Sequence, residues 1–267
     1  MRLRIAHSAV YRYEPPVTGV IQVLRLTPRN HDGQYVIRWR IDVSADTRLA
    51  AHEDAFGNLT HVFSADGPFA ELSVEVVGEV ETQNTDGVVH GAVERFPPSL
   101  FLRDTPLTEA DAALRDFAKS VRRDKAGNVL AELHMLLQRL HEEMTQDAQA
   151  SPEAVAATAA FARKGGATAD LVHVFLGAAR SLDIPARYVC GYFCPEDAVE
   201  RHAGHAWAEA FVPALGWVGF DPIAGACPTE AYVRVAIGLD SIGAAPVRGT
   251  RYGPGEETSE VAINVGQ

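Results

Sequence analysis

The 267-residue sequence is short of cysteine, of positive charge and of long apolar runs, and each shortage excludes something. Three cysteines do not make a disulfide framework. No run of about 18 apolar residues occurs, so no membrane helix is expected. The opening stretch, MRLRIAHSAVYRYE, alternates and lacks the apolar core of a signal peptide, so a cytoplasmic protein is expected. Lys and Arg number 24 against 35 Asp and Glu, a formal net charge of −11. That balance argues against a general nucleic-acid binder and against docking on an anionic membrane by bulk charge. No repeat of solenoid period is present. What is there suffices for a core: 47% of residues are hydrophobic and 22% charged, which also excludes disorder. The length allows one large or two small domains.

Residues 1–82 read as β structure. Leu3, Ile5, His7, Tyr11 and Tyr13 alternate with arginines. Ile37, Trp39, Ile41 and Val43 oppose Arg38, Arg40 and Asp42. Leu72, Val74, Val76 and Val80 oppose Glu71, Glu75, Glu79 and Glu81. Such alternation means one buried and one wet face, as in antiparallel sheets, and a small sandwich is the natural solution. Residues 83–106 form a connector in which Pro97, Pro98 and Pro106 forbid a long helix. Thr108 with Asp111 resembles a capping pair for a helix carrying Leu114, Phe117 and Val121. A second helix carries Leu130, Leu133, Leu137, Leu140 and Met144, and Ser151-Pro152 opens a third. Late in the chain, residues 232–237 and 259–265 read as strands.

The stretch from Gly165 to Asp221 organises the rest. Thr168 follows two glycines and is a good N-cap. Leu171, Phe175, Ala178 and Leu182 then recur at helical spacing until Asp183 and Pro185. ARYVCGYF, HAWAEAFV and GWVGFDP follow as strands, the last two joined by a turn at Pro213-Ala214-Leu215-Gly216.

These segments resemble the transglutaminase-like superfamily in its bacterial branch, with motifs like GVCQDxxHxFxxxxRSLGIPARYVSGY, HAWxE and GWxGFDP. Asp170, His173, Phe175, Arg180, Ser181, residues 184–189, Gly191 and Tyr192 match in register. So do His205, Ala206, Trp207, Glu209, Gly216, Trp217, Gly219, Phe220, Asp221 and Pro222. LRLTPR and DAFGN (residues 24–29 and 54–58) resemble signatures of that branch's β-rich N-terminal domain. The resemblance implies an α+β protein: a sandwich-like antiparallel domain over 1–82, a connector over 83–106, and a papain-like, transglutaminase-like domain over 107–267. It also implies that the strand at 259–265 returns to the N-terminal sheet.

The resemblance places a catalytic triad on Thr168, His205 and Asp221, with Thr168 where the family has its nucleophilic Cys. Ala169 stands where the family has Gln. In the family a thiolate forms at a helix N-terminus beside a His and attacks a carboxamide. A Thr hydroxyl does not ionise this way, and internal Thr lacks the N-terminal amine that activates known Thr nucleophiles. His205 would be the general base and Asp221 its orienting partner. Counting back from a four-residue turn leaves the two offset by three residues, about 10 Å along the strands, which a different register or a bulge must close.

Other residues invite weaker readings. Cys190 falls in a strand interior, where Cys behaves as a small hydrophobe. Zinc held by Cys190, Cys194, His202 and His205 is disfavoured, because a strand through both cysteines separates them by about 13 Å. His173 and Asp170 are explained by packing and by the helix dipole. Arg187 reads equally as a carboxylate-binding residue or a surface one. No cofactor or metal is implied. Three readings stay open: a degenerate member whose cleft binds a peptide or amide-bearing ligand; an amidase or peptidase using Thr168 or a His205-activated water; and a non-catalytic partner subunit of an active relative.

Overall fold

The structure, a computed structural model, describes residues 1–125, 127–147, 153–194 and 204–267. In chain order its elements are β1 (Arg2–Thr27), β2 (Gln34–Val43), β3 (Ala50–Glu53), β4 (Leu59–Thr82), β5 (Val88–Val89), a 3₁₀ turn (Pro98–Leu102), α1 (Ala112–Lys125) and α2 (Val129–Glu143). There follow β6 (Thr145–Gln146), α3 (Ala157–Arg163), β7 (Gly165–Gly166), α4 (Thr168–Ser181), β8 (Ala186–Phe193), β9 (His205–Val212) and β10 (Gly216–Phe220). The chain closes with β11 (Tyr232–Gly238), β12 (Val247–Tyr252) and β13 (Glu256–Gly266). The mixture of antiparallel sheets and segregated helices is the α+β class expected from the sequence. Among the described residues no helix is long and apolar enough to cross a membrane.

The N-terminal domain is one bent antiparallel sheet. β1 and β4 pair along both their arms, with register shifts between Arg12 and Gly19. β13 lies against the first arm of β1 and β12 against the second, while β2 and β3 flank the two arms of β4. Val20, Leu24 and Phe63 of one arm share a buried cluster with Leu72, Val74 and Val76 of the other, which is the sandwich-like core. Two face assignments are corrected. A register shift between Val36 and Arg38 interrupts the alternation of β2 and leaves Ile37 exposed. Glu79, expected on the wet face, is covered by Arg2, Arg4 and Arg38, so charge pairing buries it.

The second sheet has the order β11-β8-β9-β10-β5, and the helices cover one of its faces. α4 is central: every residue from Asp170 to Arg180 is buried. It packs with α1, α2 and α3 against Ala206, Ala208 and Ala210, small residues that admit a helix close to the strand. Arg180, near its C-terminal end, donates to the carbonyls of Phe101, Ala186 and Leu239 and to Thr108 Oγ1. Thr108 is therefore no helix cap. Asp111 alone caps α1, accepting from Leu114 N–H at 2.9 Å. Ser151-Pro152 lies outside the described residues, and the described third helix begins at Ala157.

The two domains are clasped by side-chain amides. Gln34 bonds both the N–H and the C=O of Arg234, at 2.8 and 2.9 Å. Asn58 does the same to Ile237, at 2.9 Å each. Side chains from the first domain thereby satisfy the free edge of β11. The DAFGN segment explains itself here: Asp54 accepts from Phe56 N–H, Asn58 N–H and Asn58 Nδ2, and so aims Asn58 at β11.

Candidate active site

His205 is the first residue of β9, and Asp221 follows the last residue of β10. Val212 pairs with Gly216, so the loop between them holds three residues, not the four expected. Ala214 and Gly216 both take positive φ, 72° and 86°, a conformation that Gly216 adopts freely as it enters the strand. The shorter loop moves the register by one. Continuing from the Phe220–Ala208 pair, Asp221 falls opposite Trp207, two residues from His205. An offset of two keeps both side chains on one face of the sheet, whereas three would have put them on opposite faces. Diagonal neighbours of this kind are within reach of long side chains, and no bulge is needed.

His205 Nε2 lies 2.6 Å from Asp221 Oδ2. Asp221 is fully buried and takes four donors: the N–H groups of Ile223 and Ala224 on Oδ1, and Tyr232 OH and His205 on Oδ2. A carboxylate only accepts, so Nε2 carries the proton in neutral His205 and Nδ1 keeps the lone pair. No described residue bonds that Nδ1. Phe193, Tyr232 and Trp207 surround the ring at 5.1, 5.7 and 6.3 Å between centroids. Gly191, the register partner of His205, has no room for a side chain: a Cβ would stand 2.0 Å from Val233 O.

Thr168 is the first residue of α4, and the cap position belongs to Ala167, which has no side-chain acceptor. The N-cap reading of Thr168 is corrected accordingly. Its Oγ1 accepts instead from Gln146 Nε2 at 2.9 Å. The parallel pairing of β6 with β7 fixes Gln146 beside the start of the helix. Asp170 ties the same turn together, accepting from Ala167 N–H, Val155 N–H and Arg163. α4, β8 and β9 run alternately up and down, which brings Thr168 and His205 to the same end of the sheet. No hydrogen bond joins them. α4 packs on the face of Ala206 and Ala208, while His205 shares the other face with Trp207. Thr168 and His205 therefore sit on opposite faces at that end of the sheet.

The remaining sequence candidates fall elsewhere. Cys190 is buried, donates to Ala244 O at 3.0 Å, and has its thiol pushed up to about 12 by burial. Cys227 is pushed up to about 11, by burial first and Asp86 second. Cys194 is buried against Val265 O. All three are free, and the described residues contain no grouping of three or more His, Cys, Asp or Glu able to hold a metal ion. His202 lies outside the described residues. His173 is buried between Val155 O and Ser241 N–H, and burial lowers its pKa. Arg187 is neither ligand-binding nor superficial. It is fully buried, paired with Glu94 and Glu209, and its guanidinium lies 3.9 Å over the Trp217 ring.

Two residues of this region were not picked out by sequence reasoning. Tyr232 read simply as the start of a strand, and its hydroxyl holds Asp221 at 2.8 Å. Gln146 lies outside any periodic segment, and nothing in its neighbourhood announced a partner 22 residues on.

Residues 3–81 match the bacterial transglutaminase-like N-terminal region, and residues 115–222, which include Thr168, His205 and Asp221, match the transglutaminase-like superfamily. An uncharacterized protein of Mycobacterium leprae is 30% identical over 99% of this chain and 98% of its own length. The chain belongs to the transglutaminase-like superfamily. A crystal structure of a candidate cysteine protease from Cytophaga hutchinsonii has the same fold, with a TM-score of 0.78 at 17% identity over all of this chain and 90% of that one. The periplasmic domain of TgpA from Pseudomonas aeruginosa is more remote, with a TM-score of 0.43 at 16% identity over 82% of this chain and 88% of that domain.

Proposed function

We propose that this protein is a transglutaminase-like family member without a thiol nucleophile, whose cleft binds a peptide or amide-bearing ligand between Thr168 and the His205–Asp221 pair. The observation that carries the reading is the asymmetry of the site. The base and its orienting carboxylate are built with four donors on Asp221, while the helix start carries a hydroxyl engaged by Gln146. The native thiols do not fill the gap, since Cys190 and Cys227 are held protonated at neutral pH and Cys194 is buried. With three free cysteines, the chain suits a reducing compartment, and we place it in the cytoplasm.

A second reading is favoured by one detail. Thr168 is not occupied in capping and accepts from Gln146 without giving up its own proton, and no described residue bonds the lone pair on His205 Nδ1, which would take a proton from Thr168 or from water. The test separates the two. Thr168→Cys with Ala169→Gln is alkylated with iodoacetamide as a function of pH, and the label at position 168 is followed by mass. A thiol pKa well below about 8.5 supports an intact cleft. An unperturbed thiol refutes it. Amide hydrolysis by the unaltered protein that disappears in Thr168→Ala replaces the first reading with the second.

A further inference from the structure

Between the two domains lies a cavity of about 250 Å3 that touches the His205 strand pair at Gly191 and Gly204, its wall otherwise coming from elements outside the candidate site. Its wall is apolar and comes from both domains: Ala9 and Leu26 of β1, Tyr192 of β8, Val235 of β11, and Val261 and Ile263 of β13. At about 30 Å3 for each water-sized group, it has room for roughly eight such groups. Among the described residues one cation, Arg25, lines it. Arg25 spends its Nε on Asp54 at 3.0 Å, and the second oxygen of Asp54 is taken by the N–H groups of Phe56 and Asn58. Arg25 Nη1 is buried and has no hydrogen-bond partner among the described residues. A guanidinium nitrogen out of water without an acceptor is rare in folded proteins and costs free energy that an acceptor brought within its reach would recover.

Two other polar side chains of the wall are committed. His7 Nδ1 is 3.1 Å from Tyr192 OH, and burial holds the ring neutral, its pKa lowered to about 4. Cys190 gives its proton to Ala244 O. Among the described residues no carboxylate lines the cavity. An apolar chamber with one unsatisfied guanidinium nitrogen suits a singly charged anion with an apolar body, because a dianion would bring a second charge out of water with no partner among the described residues.

We infer that this inter-domain cavity binds an apolar monocarboxylate of about eight carbons, with the carboxylate on Arg25 and the chain between β1, β11 and β13. The chemistry is shared by a free medium-chain fatty acid and by the apolar C-terminal residue of a peptide. The inference does not depend on Thr168 or on any turnover at His205.

The experiment is calorimetric titration of the whole protein with octanoate, octanol and N-acetyl-leucyl-leucine. Octanoate is expected to bind once, at least tenfold more tightly than octanol. Tighter binding of the dipeptide than of octanoate assigns the site to peptide C-termini, and the reverse assigns it to free acids; both support a carboxylate site. Arg25→Leu is expected to abolish the preference for octanoate over octanol. Because that change also breaks the pair with Asp54, Val261→Trp serves as the second variant. It leaves Arg25 intact, fills the chamber from an exposed edge position, and should abolish binding of all three. Equal affinity for octanoate and octanol, no saturable binding at millimolar concentration, or full binding by Val261→Trp would overturn the inference.

Discussion

Replacing Glu209 with Gln tests how the strand bearing His205 is held. Glu209 is fully buried on β9, four residues beyond His205. It receives Arg187 Nε at 2.6 Å and Arg234 through two nitrogens at 2.7 and 3.1 Å. Arg187 reaches on to Glu94 with a two-pronged pair at 2.7 and 2.9 Å. The cluster therefore ties β8, β9, β11 and the connector. Burial alone would raise the Glu209 pKa, but the charges of Arg234 and Arg187 more than reverse it, down to about 2. Against an ordinary Glu, a depression of that size corresponds to about 3 kcal/mol of stability. The sign follows from the direction. The contribution is fully present above pH 4.5 and is lost as pH falls from there toward 2. Glu209→Gln leaves two buried guanidinium groups short of an anion, so a loss of about 3–5 kcal/mol is expected at pH 7. Urea denaturation of both proteins at pH 7, 5, 4 and 3 is the assay. The gap between them should narrow steadily below pH 4.5. A gap that stays constant from pH 7 to 3, or one below about 1 kcal/mol at pH 7, would refute the reasoning.

Other outcomes follow from the same geometry. Tyr232→Phe removes one donor from a buried carboxylate and should cost about 1.5–3 kcal/mol by urea denaturation. Asn58→Ala leaves the N–H and C=O of Ile237 without partners at the domain clasp; a loss of about 2–4 kcal/mol is expected, read as a lowered thermal midpoint. In the native protein Cys190 and Cys227 should resist a thiol reagent at pH 8, because both pKa values are raised, and should react at an ordinary rate in denaturant. Fast native labelling of either would contradict the raised pKa values.

The strands and helices were legible because their periods are set by local sterics. Alternating Leu72, Val74 and Val76 fixes a strand face whatever the partner, and Leu171, Phe175 and Ala178 fix a helix stripe. Charged residues at strand positions were not legible in the same way. Arg187 and Glu209 read as an undecided and a motif residue, yet both are fully buried, because the second sheet is covered on both faces. The partner that makes burial of Arg187 tolerable, Glu94, lies 93 residues away in a segment read only as a connector. Glu79 fails the alternation rule for the same reason, with Arg2 and Arg38 arriving from two other strands. Pairing between charges distant in sequence leaves no periodic trace.

The candidate site shows where residue identity stops and geometry begins. HAW and GFDP name His205 and Asp221, but whether they meet depends on the parity of one turn. Pro213, Ala214, Leu215 and Gly216 announce a turn without fixing its length, since Gly216 serves equally as a last loop residue or a first strand residue. In the structure it is the strand residue, held at positive φ and paired with Val212. That assignment removes one residue from the loop, turns Asp221 onto the face of His205 and Trp207, and halts the ladder there. Pro222 follows without an N–H, and the next two N–H groups fold back onto Asp221 Oδ1. Tyr232 then closes the other oxygen from β11. The orientation of the His205 ring, and with it which nitrogen is turned toward Asp221, is thus decided by a glycine conformation and a tyrosine from a strand that the motif does not include.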